Sequence, residues 1–104
     1  MVTDFQKLVW AKLEEIPQGR ITSYKELARA VGKSRAVRAV GSACASNPNL
    51  IEVPCHRVVR SDGKVGSYRG GYKTKIALLE KEGISIDQNG CVANFSNCFH
   101  HFDS

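Results

Sequence analysis

The sequence predicts a mainly α-helical domain of the helix-turn-helix, winged-helix-like class with small β elements. Three features predict it. Apolar residues recur at helical spacing behind two capping signatures, Thr3-Asp4-Phe5-Gln6 and Ser23-Tyr24-Lys25-Glu26. Gly32 makes a tight turn between the second helix and a third, as in a helix-turn-helix. Short turns, Ser61-Asp62-Gly63-Lys64 and Asn89-Gly90, punctuate the rest with β-type signals.

Taken in order, Thr3 caps the first helix with Gln6 reaching back, and Phe5, Leu8, Val9, Leu13 and Ile16 form its core stripe until Pro17 and Gly19 stop it. Trp10 lies off that stripe, at an edge where packing is the expected use. Extended Arg20-Ile21-Thr22 leads to the second helix, which carries Leu27, Ala28, Ala30 and Val31 and ends at Gly32, a residue suited to the left-handed position beyond a helix. Ser34 is the expected cap of the third helix, over residues 35–46. That helix is nearly bare: Ala36, Ala39, Gly41, Ser42, Ala43, Ala45 and Ser46 carry little side chain, and Gly41 costs about 1 kcal/mol relative to alanine. Small residues serve close packing against a neighbour and equally admit a helix to a narrow groove. Arg38 is the one long side chain at its centre.

Asn47-Pro48-Asn49 ends the helix. An extended segment is expected next, because the residue before Pro54 is pushed towards β geometry. Residues 58–60 and 64–66 are expected to pair as a small hairpin, followed by a flexible loop, Gly66-Ser67-Tyr68-Arg69-Gly70-Gly71. A fourth helix is expected over residues 72–82, with Ile76 and Leu79 inward and Gly83 at its end. Residues 84–92 read as a hairpin around Asn89-Gly90, after which the pattern is lost. The whole chain, 1–104, reads as one domain, with 84–104 its hairpin and tail.

Composition narrows the function. No apolar run approaches the ~18 residues of a membrane span, which argues against a membrane partner, and the start lacks a signal peptide's charged and apolar regions. The expected location is therefore the cytoplasm, with the four cysteines as free thiols. The net charge of +5 is concentrated in Arg29, Lys33, Arg35, Arg38, Arg57, Arg60, Lys64, Arg69, Lys73 and Lys75, against Glu52 and Asp62 over the same stretch. Such a block suits a nucleic acid, while a solvated basic face has the same composition. Cys91, Cys98, His100 and His101 match no standard zinc spacing, so no metal is expected and the tail is read as packed or frayed.

Val53-Pro54-Cys55-His56-Arg57-Val58-Val59 is the candidate reactive segment. A free thiol, with a pKa near ~8.5, is mostly protonated at neutral pH, so a nucleophilic cysteine needs a base or a positive field; His56 and Arg57 supply both. Taken alone, such a pair is more often a small buried cysteine in a strand beside an exposed histidine, and the context reverses that reading.

With Ala36-Val37-Arg38-Ala39-Val40-Gly41 and Asn47-Pro48 before it, and Gly63, Gly66, Tyr68, Gly70-Gly71 and Glu82-Gly83 after it, this segment resembles the active-site domain of the O6-alkylguanine-DNA alkyltransferases over about residues 5–83. The resemblance implies that Cys55 takes the alkyl group from O6 of guanine in double-stranded DNA, without cofactor or metal, and keeps it as a thioether. It makes His56 the proton acceptor, through a water, with Glu82 holding the imidazole; Glu80 is an equal candidate on residue type alone. It places the bare helix in the minor groove, with Ala36, Val37, Ala39, Gly41 and Ser46 against DNA and Arg38 filling the gap left by the extruded base. It makes Tyr24 the residue that crowds the target phosphate and donates a proton to the departing guanine, Asn47 a hinge, and Tyr68 the lid of the pocket. The carbonyls of Cys55 and Val58 would accept from the guanine amine, and the Arg69 backbone N–H would contact O6, where some relatives carry a small hydroxyl residue. The expected form is a monomer, in the cytoplasm or on the nucleoid of a prokaryote. The family's usual N-terminal domain is expected to be absent, as in the short alkyltransferase-like proteins that flag lesions without repairing them, but those carry tryptophan where this chain has Cys55. A sequence-reading transcription factor is the third possibility, and the bare helix offers too few base-reading side chains for it.

Overall fold

The computed structural model describes residues 2–50 and 52–102. Position 51, within the segment expected to be extended, and residues 103–104 of the expected tail lie outside the described residues. Among these the order is α1 (Asp4–Leu13), β1 (Thr22–Ser23), α2 (Tyr24–Ala30), α3 (Val37–Ala45), a 3₁₀ turn (Cys55–Arg57), β2 (Val58–Val59), α4 (Tyr72–Lys81) and α5 (Phe95–Cys98). The protein is mainly helical, as its capping signals predict.

The capping box of α1 forms in both directions: Gln6 N donates to Thr3 Oγ1 at 3.1 Å and Thr3 N to Gln6 Oε1 at 2.9 Å. Its buried stripe is narrower than the spacing suggests, since Val9 and Leu13 are buried while Leu8 is 44% exposed. Trp10 packs, and its indole Nε1 donates to the Ala43 carbonyl at 2.8 Å, fastening α1 to α3. Ser23 caps α2, accepting from Glu26 N at 3.0 Å. The Glu26 carboxylate instead binds Arg29 and accepts from Phe102 N at 2.9 Å. At Gly32 the backbone takes φ +77, the left-handed geometry that only glycine adopts without strain, and the chain swings into α3.

Three expectations are corrected. The third helix begins at Val37, and Ala36, not Ser34, occupies its N-cap, because a turn closed by Ala36 N to Lys33 O at 2.7 Å uses up the residues before it. The segment at Cys55 is coiled. Proline fixes φ but leaves ψ open, and Pro54 at ψ 64 folds back so that Cys55 N meets Val53 O at 2.8 Å, an inverse γ-turn that runs into one 3₁₀ turn. Residues 58–60 and 64–66 form no hairpin: β2 pairs in parallel with β1, Thr22 to Val58 and Ser23 to Val59, while Lys64 bridges Cys91. Val58, Val59 and Val65 are all fully buried, and beyond the turn closed by Arg60 N to Lys64 O at 2.9 Å the two segments pair with different partners.

The two-stranded sheet separates two cores. Val58 faces the one built by Val9, Leu13, Leu27, Val40, Ala43 and Phe102, which also contains Cys55; Val59 faces the other, with Ile21, Leu79, Ile84 and Val92. The Asn-Gly hairpin forms, with Ile86 bridged to Val92 and Gly90 at φ +78. The tail is packed: His100 N donates to Ile21 O at 2.6 Å, and the Phe102 ring enters the first core at 5% exposure. Truncating that ring removes apolar packing from the first core. Phe102→Ala is expected to lose about 3 kcal/mol in urea unfolding; a loss below about 0.5 kcal/mol, the range of surface changes, would mean that the tail does not dock.

Candidate active site and nucleic-acid interface

Cys55 sits on the floor of a cavity of about 170 Å³ that opens between α3 and the loop over residues 66–71. Of the residues expected at the site, Tyr24, Gly41, Tyr68 and Arg69 share its wall, and Cys44, Ala45 and Ser67 line it without having been foreseen. Val58 does not line it; its side chain is buried in the core, so only its backbone can meet a bound molecule. Asn47, fully buried, joins the parts. Its Nδ2 donates to Val53 O at 2.6 Å, its Oδ1 accepts from Asn49 N at 2.9 Å, and its carbonyl accepts from the Arg69 guanidinium.

Behind Cys55 the 3₁₀ turn aims His56 and Arg57 at the end of α4. Glu82 is the C-cap of that helix, and its carboxylate receives His56 Nε2 at 3.0 Å together with Arg57 Nε at 2.9 Å and an Nη at 2.7 Å. Glu80 is exposed, so the geometry chooses Glu82. Arg57 also donates to Ile16 O at 2.8 Å, which fixes the clamp to the end of α1. His56 is 5% exposed, its Nδ1 has no hydrogen-bond partner, and its ring meets that of Tyr68 edge-on at 6.4 Å. It does not line the cavity above Cys55. It opens instead, with Glu82 and Tyr68, on a second cavity of about 490 Å³.

Burial pushes the Cys55 thiol up, while Asn47, Lys75 and Arg69 act to hold it down. Burial likewise acts to raise the Glu82 carboxyl, but its hydrogen bonds to Arg57 and His56 outweigh this and leave it below the ordinary carboxylate range. For His56 burial dominates over the pull of Glu82, so the imidazole sits below its usual value. Tyr24, also raised by burial, stays a protonated phenol. Lys75 is the residue that sequence reasoning missed. It is fully buried, donates from Nζ to Val65 O at 2.6 Å and Ser67 O at 3.1 Å, lies 5.7 Å from the Tyr24 ring centroid, and is lowered by burial to about 8. Its one signal was a lysine four residues before inward Leu79, on the same helical face.

The cationic block divides. Arg29 pairs with Glu26, Arg57 with Glu82 and Arg60 with Asp62, Arg69 binds Asn47, and Lys75 is buried. Lys33, Arg35 and Arg38 remain exposed on the helix-turn-helix, beside the exposed Val37, Ala39 and Ser46 of α3 and its flank, with Ala36 partly covered. Among the described residues no helix is long and apolar enough to cross a membrane, and no three His, Cys, Asp or Glu side chains are placed to hold a metal ion.

The His56 geometry carries a signed expectation. Removing a carboxylate that favours imidazolium lowers the pKa, so in ¹H–¹⁵N NMR titration His56 should lie below the ordinary ~6.5, and lower still in Glu82→Gln. A midpoint at or above ~6.5 in the parent would contradict the dominance of burial.

The DNA-binding-domain model of the 6-O-methylguanine DNA methyltransferases matches residues 4–84. The chain is 54% identical over 80 residues to the Escherichia coli bifunctional transcriptional activator/DNA repair enzyme Ada, covering 77% of this chain and 23% of Ada. It is 54% identical over 80 residues to the methylated-DNA–protein-cysteine methyltransferase of Methanosarcina barkeri, covering 77% of this chain and 51% of that protein. It therefore spans about a quarter of the first of these curated relatives and about half of the second. The crystal structure of Mycobacterium tuberculosis OGT in complex with DNA matches with a TM-score of 0.77 and 49% identity, over 80% of this chain and 51% of that one. Schizosaccharomyces pombe Atl1, in complex with damaged DNA containing O6-carboxymethylguanine, matches with a TM-score of 0.80 and 31% identity, over 96% of this chain and 98% of that one. On this evidence the chain belongs to the O6-methylguanine-DNA methyltransferase family, through that family's DNA-binding domain.

Proposed function

We propose that the protein repairs DNA by moving the alkyl group from O6 of alkylguanine onto Cys55, irreversibly and once per molecule. The observation that carries this reading is a thiol on the floor of an open cavity, with His56, Glu82 and Arg57 chained behind it. Glu82 engages Nε2–H and leaves the lone pair of Nδ1 as acceptor for the thiol proton, received through one water. The sulfur then bonds to the alkyl carbon as the carbon–O6 bond breaks in line, and the electron pair stays on the guanine. Tyr24, held protonated by burial, supplies the proton that the guanine takes up. A thioether is no leaving group, so the reaction ends after one turnover.

In duplex DNA, O6 faces the major groove, and a buried sulfur meets it in line only when the base is extruded. The bare face of α3 suits the approach to DNA. A Cβ built on Gly41 would meet nothing within 4 Å, so no neighbour inside the chain requires glycine there. Arg38, exposed on the same helix, fills the stack, and Lys33 and Arg35 neutralise phosphates. Tyr68 and the Arg69 backbone close the pocket over the base, and Asn47 hinges that loop to the helix.

The Atl1 likeness, which covers 98% of that chain, favours a second reading: a module that binds the lesion and leaves it unrepaired. A duplex whose restriction site is blocked by O6-methylguanine separates the two. The transfer reading predicts restored cleavage up to one site per protein molecule and no further, and repair at least ~10-fold slower in Arg38→Ala, because unstacking costs a few kcal/mol. Tight binding with no restored cleavage supports the second reading.

A further inference from the structure

We propose that Cys44 is a resolving thiol for Cys55, so that hydrogen peroxide links the two in a reversible disulfide. The consequence for repair, a masked alkyl acceptor, rests on the function proposed above; the bond itself does not.

Cys44 lies in the last turn of α3 and is 5% exposed, Cys55 in the 3₁₀ turn is 4% exposed, and both thiols are free. They line one cavity of about 170 Å³. Asn47, one turn beyond Cys44, donates to Val53 O at 2.6 Å, which draws the end of α3 and the segment before Cys55 together. The Cys55 thiolate raises the pKa of Cys44, an interaction that weakens with distance. Alkyl transfer makes no use of Cys44. A water's share of liquid volume is about 30 Å³, so hydrogen peroxide, with two heavy atoms, fits the cavity easily.

The steps balance. The Cys55 sulfur attacks one peroxide oxygen, the O–O bond breaks, and Cys55 becomes a sulfenic acid while the departing hydroxide takes up the thiol proton as water. The Cys44 sulfur then attacks the Cys55 sulfur, the S–O bond breaks, and the hydroxide leaves with the Cys44 proton as a second water. Two thiols lose two electrons, and peroxide is reduced to two waters. The order follows from the surroundings. Burial pushes Cys44 up to about 12, whereas Asn47, Lys75 and Arg69 act to lower Cys55, so Cys55 reacts first. Cys44 then resolves through proximity, which raises its effective concentration far above that of a free thiol. Without a resolving partner a sulfenic acid proceeds to sulfinic acid, which thiols do not reverse.

The test treats the full chain with hydrogen peroxide in the absence of DNA, traps remaining thiols with N-ethylmaleimide under denaturing conditions, and maps a non-reducing digest by mass spectrometry. The expected result is loss of two hydrogens, a linked pair of peptides carrying Cys44 and Cys55, and recovery of all four free thiols with dithiothreitol. In Cys44→Ala the same treatment should leave Cys55 as sulfinic acid that dithiothreitol does not restore. Sulfinic acid at Cys55 with Cys44 still maleimide-reactive in the parent, linkage of Cys55 to Cys91 or Cys98, or an unmodified Cys55 in excess peroxide would each overturn the proposal. Because no alkylated DNA is present, a chain that fails to transfer alkyl groups can still form this bond.

Discussion

A single buried asparagine holds the functional parts of this molecule in register. Asn47 has no exposure, yet it ends α3, carries the Val53 carbonyl on its amide two residues before Cys55 and takes the Arg69 guanidinium on its own carbonyl. A buried polar side chain is tolerated only when satisfied, and leaving one such partner unmade costs roughly 1–3 kcal/mol. The interaction therefore stabilises one arrangement, in which the exposed helix, the coiled thiol segment and the loop above it move as a unit. Anything that displaces α3 is felt at the sulfur.

Charge is arranged in two tiers. The inner tier is hydrogen-bonded: Glu82 between His56 and Arg57, and Lys75 on two carbonyls under the 66–71 loop. Burying ions is costly unless they are paired and hydrogen-bonded; Glu82 is both, whereas Lys75 has carbonyls alone and burial lowers it to about 8. The outer tier is the exposed Lys33, Arg35 and Arg38 on the helix-turn-helix, where charge remains available to a polyanion. The net charge of +5 thus says little of where the basic surface lies.

Much of this was legible in the sequence because local chemistry dictated it. The Thr3 and Ser23 caps, the Gly32 turn and the Asn89-Gly90 hairpin each rest on a few adjacent residues, and each forms. What local pattern misjudged was settled by tertiary packing. Pro54 is compatible with extended and folded ψ alike, and Asn47 on Val53 selects the folded one. The valines at 58 and 59 read equally well as half of a hairpin, and only two separate cores explain their parallel pairing with β1. At the site, Cys55, His56 and Glu82 were visible through motif likeness, whereas Lys75 and Cys44 were not: helical spacing puts Lys75 on the Leu79 face without showing that it is buried, and a cysteine among alanines is silent until burial is known.

The central claim, that the Cys55 sulfur is the acceptor of the alkyl group, is tested most directly by intact-protein mass spectrometry after incubation with a duplex containing one O6-methylguanine, with Cys55→Ser alongside. The account predicts a gain of one methyl per molecule that maps to Cys55 and is absent from the serine variant. An unchanged mass in protein that still binds the lesion would contradict it and leave the cysteine as part of a recognition pocket.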